Sequence, residues 1–361
     1  MGDDFSSLSV TERLAFTLPN GHIRIRRGTI AMSSNGEASE VIAYVRRRGT
    51  GEVRACQFDE ALASLPDPEL STWINFLRPE EAHLRDVVAA QGFHELAVED
   101  VFSPQSRAKI EEYGGHLFCV VPALNLNPDS DVLDIINLNA FLGGDYLITA
   151  QRAPLTAVAQ VRELMERGEP PLLYGPDFVF YELLDALIDE YLPISDQVAD
   201  SIDELDQRIF ARFDPTVSEA IFTLKRRVAW LRRRVGPQRG IINTLTNRPH
   251  ELIQPNTQIY LRDVHDHIFR ISDNLETFHD LLQGALEAYM TQVTHRTNEA
   301  TKLLSIVATI ILPLNVLTGL YGTNFVHLPG SEGPISFWVF CGVLALVAVG
   351  ATLLFRFRRW L

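Results

Sequence analysis

The sequence predicts an α+β domain, a helical bundle, one very long helix that enters a membrane, and a second membrane helix at the C-terminal end. Three observations carry that expectation. Short runs with β-type alternation, separated by glycine-containing turns, fill the first part of the chain. From about Asn256 to Leu320 only Pro313 interrupts a helical pattern, which gives ~95 Å of helix at ~1.5 Å per residue. Two apolar stretches, 303–320 and 335–355, close the chain, and each has about the ~20 residues that span a hydrocarbon core.

The α+β domain is expected over 1–171 as a mixed sheet with flanking helices. Strand-like runs occur at Ile23-Arg24-Ile25-Arg26, Val41 to Val45 and Thr72 to Leu77. Pro79-Glu80-Glu81 starts a helix with proline near its first position, and His94 to Phe102 carries another. Further strands are predicted at Ala108–Glu112, His116–Leu124, Val132–Leu142 and Tyr146–Thr149, with hairpin turns at Gly114-Gly115 and Gly143-Gly144-Asp145. Pro154 to Arg167 reads as a helix. A helical pair follows over 172–255: an acidic helix across Asp177–Arg212, then a basic one across Pro215–Thr246 with Lys225-Arg226-Arg227 and Arg232-Arg233-Arg234. Opposite charge on two antiparallel helices is expected to pair them. No aromatic interleaving accompanies the arginines, so they do not point to nucleic acid.

Composition narrows the class. A formal net charge of −14 over 361 residues argues against nucleic acid as a partner and suits a protein that senses cations. Cys56, Cys119 and Cys341 lack metal-type spacing and form no disulfide framework, as a reducing cytosol favours. Met1 to Leu18 has neither the basic start nor the apolar run of a signal peptide. No nucleophile triad, phosphate-binding glycine loop or metalloprotease helix is present, which excludes the common enzyme signatures. Lys302 opens the first span and Arg356, Arg358 and Arg359 follow the second, whereas 321–334 has no Lys or Arg. Both termini are therefore expected in the cytoplasm of a cell with this protein in its plasma or inner membrane, with 321–334 outside and 356–361 as a basic tail.

The polar residues of the last long helix recur at intervals of seven. One series is Asp273, Asp280, Glu287, Thr294, Thr301, Ala308 and Asn315; the other is Thr277, Gly284, Thr291, Asn298, Ser305, Leu312 and Gly319. A heptad puts both on one seam of a left-handed bundle, where apolar residues are usual. Ile268, Ile271, Leu275, Phe278, Leu282, Ala285 and Val293 are expected to carry the apolar packing around it. Polar groups at membrane depth are costly unless they meet protein or water. The pattern therefore indicates a bundle with a wet axis, a pathway for ions through the bilayer, in preference to a merely solvated helix face. Two spans per chain cannot enclose such an axis, so the chain must self-associate.

At the end of the first span, Tyr321-Gly322-Thr323-Asn324-Phe325 combines a flexible glycine with ligand-like oxygens. With Thr297-Asn298-Glu299, Pro313, the two terminal spans and the ending Arg358-Arg359-Trp360-Leu361, it resembles the CorA family of magnesium transporters. Val98-Glu99-Asp100-Val101 and Leu261-Arg262-Asp263-Val264, followed by Asp266-His267, extend the resemblance over most of the chain. The resemblance implies a homopentamer with a cytoplasmic funnel and one stalk helix per subunit in the pore. It makes Gly322, Thr323 and Asn324 the ion-selecting loop, where Thr323 replaces the family's methionine. Asn298, Thr301, Leu304, Ser305, Ala308, Leu312 and Asn315 would line the pore, Leu304 and Leu312 as an apolar constriction. Asp273, Asp280 and Glu287 would be further cation contacts. Asp100 and Asp263 match the family's carboxylates that bind regulatory Mg2+ between subunits.

The expected function is uptake of Mg2+, with Co2+ as a second cargo, driven by the membrane potential and limited by cytoplasmic Mg2+. Two alternatives differ in kind. Asp263-Val264-His265-Asp266-His267 offers zinc ligands, which keeps open a Zn2+ transporter, proton-coupled or not, on the same scaffold. A membrane-anchored cation sensor that conducts nothing is the other.

Overall fold

The computed structural model describes residues 29–32, 38–103, 107–126, 133–167, 170–211, 213–247, 250–322 and 335–358. The strand expected at Ile23–Arg26 lies outside them. Elements follow in the order β1 (Thr29–Met32), β2 (Ala38–Arg47), β3 (Val53–Cys56), α1 (Phe58–Ser64), β4 (Leu70–Leu77), α2 (Glu81–Gln91), α3 (Glu95–Phe102), β5 (Lys109–Tyr113), β6 (His116–Leu126), β7 (Leu133–Leu142) and β8 (Tyr146–Gln151). Then come α4 (Thr156–Met165), α5 (Pro176–Asp189), α6 (Tyr191–Ala211), α7 (Val217–Asn247), α8 (Pro255–Gly322) and α9 (Ser336–Phe357). The chain divides into two compact units, Met1–Asp203 with Thr223–Leu281, and Glu204–Phe222 with Leu282–Leu361.

In the first unit the strands form one mixed sheet in the order β1-β2-β4-β8-β7-β6-β5, with β3 also paired to β2. Among the described residues β4 and β8 alone run parallel, Thr72 opposite Tyr146 and Leu77 opposite Gln151; the other pairings are antiparallel. Period-two alternation assigns the two faces. Ile74, Phe76, Phe118, Val120, Phe141 and Ile148 point to one side, where Ala61, Leu84, Val87, Ala97 and Val101 of α1, α2 and α3 complete a closed core. On the opposite face Trp73 donates from Nε1 to Thr149 Oγ1 at 3.1 Å, and Thr149 donates to Asn75 Oδ1 at 2.8 Å. All three are buried, so their polar atoms need each other. α5 lies over this face and α4 packs on α5.

Local chemistry explains most boundaries, and corrects some. Gly92 in the left-handed region ends α2 with its N–H on the Val88 carbonyl. Pro79 precedes the Glu80 N-cap rather than entering the first turn. His94 caps α3 by accepting from the Leu96 N–H through Nδ1 at 3.2 Å. The expected single acidic helix is two, broken at Glu190, with Pro193 tolerated in the first turn of α6. The helix α1 was not expected.

Within the first unit α6, α7 and α8 bury an apolar seam, and Arg232 of α7 adds an ion pair of 3.9 Å to Glu276 of α8. Leu224, Val228, Leu231, Val235, Gln238, Ile242 and Leu245 of α7 are buried at alternating steps of four and three, as are Leu261, Val264, Ile268, Ile271, Leu275 and Phe278 of α8. Tyr191, Ile194, Val198 and Ile202 of α6 are buried with them, while Asp196, Asp200, Asp203, Arg232, Arg233 and Arg234 are exposed. Gln238, the polar member of the α7 series, donates from Nε2 to the Tyr191 hydroxyl at 2.8 Å and to the Pro122 carbonyl, while its Oε1 is buried with no hydrogen-bond partner.

Glu190, at the joint between α5 and α6, is buried facing the first turn of α4. Burial pushes its carboxyl up to about 8, against the smaller opposing pull of the Ala157 N–H and the Thr156 hydroxyl. Protonation is thus favoured more in the folded chain than in the unfolded one, where the group titrates near ~4.3. Its contribution to stability is fully present below that lower value and is lost as pH rises toward 8. Glu190→Gln removes the dependence. The variant should gain on the parent by ~1.4 kcal/mol per pH unit at most across that window, and by a constant amount above it. Urea unfolding between pH 5 and 9 measures this; equal pH slopes for both proteins would refute it.

In the second unit Phe213 stacks on Tyr289 at 6.0 Å between ring centroids, and the Arg296 guanidinium lies 4.4 Å over Phe213. Arg208 holds Asp214 at 2.7 Å. Leu282, Ala285 and Tyr289 continue the buried spacing of α8, so Tyr289 does the packing expected of Val293, which is only half-buried. α8 and α9 each contain a segment long and apolar enough to cross a membrane. Tyr321 stacks on Phe340 at 4.2 Å where α8 ends.

Candidate functional site

Polar residues on α8 sit opposite its packing seam. Within the first unit Asp273, Thr277 and Asp280 are exposed. Within the second, Gly284, Glu287, Thr291, Thr294, Asn298, Thr301, Ser305, Ala308, Leu312, Asn315 and Gly319 are all exposed, together with Leu304. Among the described residues, every member of both heptad series is exposed. Leu304 and Leu312 remain 70% and 66% exposed, so an apolar pair stands among the hydroxyls and amides on a surface the single chain does not cover.

The hydroxyls of this segment have a common orientation. Thr297 donates to the Val293 carbonyl, Thr301 to Thr297, Ser305 to Thr301 and Thr309 to Ser305, at 3.0, 2.8, 2.8 and 2.7 Å. Each hydroxyl proton is thereby committed to the helix backbone, and its oxygen keeps lone pairs for a water molecule or a cation. Pro313 lacks an N–H, so the Thr309 carbonyl, four residues before it, has no amide partner from that position. α8 therefore offers acceptor oxygens along a stretch in which Leu, Ile and Val predominate from Leu303 to Leu320. Gly322 is its last residue. Thr323 and Asn324 lie outside the described residues.

A second group of ligand atoms lies in the first unit. Asp185 of α5 and Asp263 and His267 of α8 place one ligand atom each within 4.8 Å of one another. His267 Nδ1 is 3.0 Å from Asp189 Oδ1, and its Nε2 is 3.8 Å from Asp263 Oδ2. Asp185 Oδ1 is buried with no hydrogen-bond partner. Its carboxyl is pushed up to about 6, first by burial and then by Asp189 and Asp263, with His267 opposing. The Tyr181 phenol is raised too, by burial and then by the charges of Asp185, Glu182 and Asp263. An orphaned carboxylate in a field of acids fits a cation: two carboxylate oxygens suit a hard divalent ion, and the imidazole extends the set to zinc or cobalt.

Of the five residues Asp263–His267, only the two ends join this group. His265 instead lies 4.2 Å from the Phe269 ring and 3.4 Å from its neighbour Asp266. Asp185 was absent from the expected ligands; sequence showed it only as one acid among many. Asp100 and Asp263 have different neighbours within the chain, since Asp100 Oδ2 is 2.7 Å from Lys109 Nζ.

Residues 69–359 match the family model described as CorA-like Mg2+ transporter protein. The chain is 29% identical over 307 residues to the cobalt/magnesium transport protein CorA of Thermotoga maritima, covering 84% of this chain and 87% of that one. It is also 29% identical over 337 residues to the divalent cation transporter CmaX of Pseudomonas aeruginosa, covering 92% and 99%. Among solved structures, the complete CorA magnesium transporter of Methanocaldococcus jannaschii superposes with a TM-score of 0.76 at 18% identity, over 89% of this chain and 98% of that chain.

Proposed function

The chain belongs to the CorA-like Mg2+ transporter family, whose members are transporters and not enzymes, and from that premise we propose a homopentameric channel that admits Mg2+, and Co2+ with it, down the membrane potential. The proposal places it in the plasma or inner membrane with both termini cytoplasmic. One observation carries it: an exposed column of hydroxyl and amide oxygens along α8, within a segment whose composition is that of a membrane span. Asn298, Thr301, Ser305, Ala308 and Asn315 line the path, Leu304 and Leu312 close it by dewetting, and Gly322, Thr323 and Asn324 select at its outer end. Mg2+ loses water reluctantly, so these oxygens bond its hydration shell. Crossing 100 mV yields roughly 4.6 kcal/mol for a double charge, at ~2.3 per unit charge, and nucleotide hydrolysis is not required.

Regulation falls to Asp100 and Asp263, joined by Asp185 and His267. Cytoplasmic Mg2+ held there keeps the bundle closed, and its loss permits opening. Asp273, Asp280 and Glu287 contribute further cation contacts along the stalk. The imidazole in the cluster also favours a second reading, transport of zinc on the same scaffold. Uptake into proteoliposomes, comparing Mg2+, Co2+ and Zn2+ with and without a proton gradient, decides. Mg2+ and Co2+ entry that grows with inside-negative potential and ignores the proton gradient is expected. Zinc entry alone would transfer the assignment to the second reading. A protein that passes none of the three would be a sensor.

A further inference from the structure

Asp100 stands near the end of α3, and β5 brings an internal cation back against it. Lys109 Nζ lies 2.7 Å from Asp100 Oδ2 and 2.6 Å from Glu111 Oε2. Tyr113 donates to the same Glu111 oxygen at 2.7 Å, and its ring stacks on His94, the cap of α3, at 5.1 Å. The ammonium also sits 5.5 Å from the centre of the Phe118 ring. Both ends of α3 are thus fastened to β5, at one end by stacked rings and at the other by charge. The three charged side chains are 25–39% exposed, so water weakens these pairs without abolishing them. Burial lowers the Lys109 ammonium, but its bonds to Asp100 and Glu111 outweigh that and hold it raised. Its charge is fixed at any cellular pH.

A divalent cation that takes a carboxylate oxygen of Asp100 cannot keep an ammonium at ion-pair distance, because like charges repel steeply at that range. The Lys stem is flexible and its charge is a point, so it can leave. Glu111 gives it a place to stay, which makes the exchange cheaper than release into water. We propose that Lys109 is a tethered competitor for the cation that Asp100 binds, setting the Mg2+ concentration at which regulatory binding begins. This rests on the assignment of Asp100 to regulation made above.

The test uses the full chain in detergent, with Mg2+ alone as the probe and protection from limited proteolysis as the readout. Lys109→Met should lower the midpoint for protection about tenfold, the scale of removing one competing charge in a partly solvated site. Lys109→Arg keeps the charge and should keep the parent's midpoint. Asp100→Asn should raise it. Thermal melting checks that each variant is folded; if Lys109→Met is not, Lys109→Gln replaces it. An unchanged or raised midpoint in the charge-neutral variant, with Asp100→Asn still shifted upward, overturns the competitor role and leaves the regulatory assignment standing. If Asp100→Asn moves nothing, the assignment itself fails and the competitor role with it.

Discussion

Asn324→Ala should bring Mg2+ uptake by proteoliposomes down to the level of protein-free vesicles, a loss of about a thousandfold or whatever the background allows. Asn324 follows directly on Gly322 and Thr323 at the end of α8. In the proposed pentamer one substitution would delete five amide oxygens, one per subunit. At ~1 kcal/mol for each hydrogen bond to the hydrated ion, the pentamer loses ~5 kcal/mol of stabilisation, more than three powers of ten. Alanine supplies no acceptor, and the hydration shell must then be shed in part, which Mg2+ resists. Asn243→Ala on α7, an exposed asparagine outside the loop, is the matched control and should conduct like the parent. Uptake by Asn324→Ala at the parent's rate would remove the loop from ion selection.

Asp263→Lys should leave uptake running at cytoplasmic-side Mg2+ that closes the parent, with the inhibitory midpoint raised at least tenfold. The substitution replaces an acid by a permanent cation among Asp185, His267 and Asp189. The Asp185 carboxylate, pushed up to about 6, would then be neutralised by the chain's own lysine, and the site would have no need of an ion. The measurement is flux against Mg2+ on the cytoplasmic side of oriented vesicles. Inhibition at the parent's midpoint would mean that the cluster does not regulate. Basal flux at low Mg2+ should be close to the parent's, because Asp263 lies far along α8 from the apolar segment.

How much of this could be read from residues alone follows the range of each interaction. The strands were legible because alternation and the Gly114-Gly115 and Gly143-Gly144 turns are local. The packing of α8 is legible because a heptad repeats, and the repeat carries Leu282 and Ala285 on to Tyr289, with Val293 half-buried beyond it. The break at Glu190 had a visible signal in Pro193, which suits a first turn far better than a helix interior. α1 was missed because seven residues, Phe58–Ser64, are too few to display a period. The acids and arginines of α6 and α7 are conspicuous in sequence, but the apolar positions that recur at steps of four and three are what the first unit buries. Asp185 was invisible as a ligand because its partners, Asp263 and His267, lie on another helix far along the chain, and only the fold brings α5 against α8.

The bonds from Thr297, Thr301, Ser305 and Thr309 into their own helix have a consequence for which species can travel beside them. With their protons committed to the backbone, these four hydroxyls present a neighbouring solute with electron pairs, while the Asn298 amide between them offers donor and acceptor alike. On the channel reading proposed above, chloride or phosphate would find no donor in those hydroxyls, whereas a hydrated metal ion, whose waters turn their hydrogens outward, would find acceptors. Alcohols do not titrate in the cellular range, so discrimination by sign would persist through acidification or high salt that would silence a ring of carboxylates.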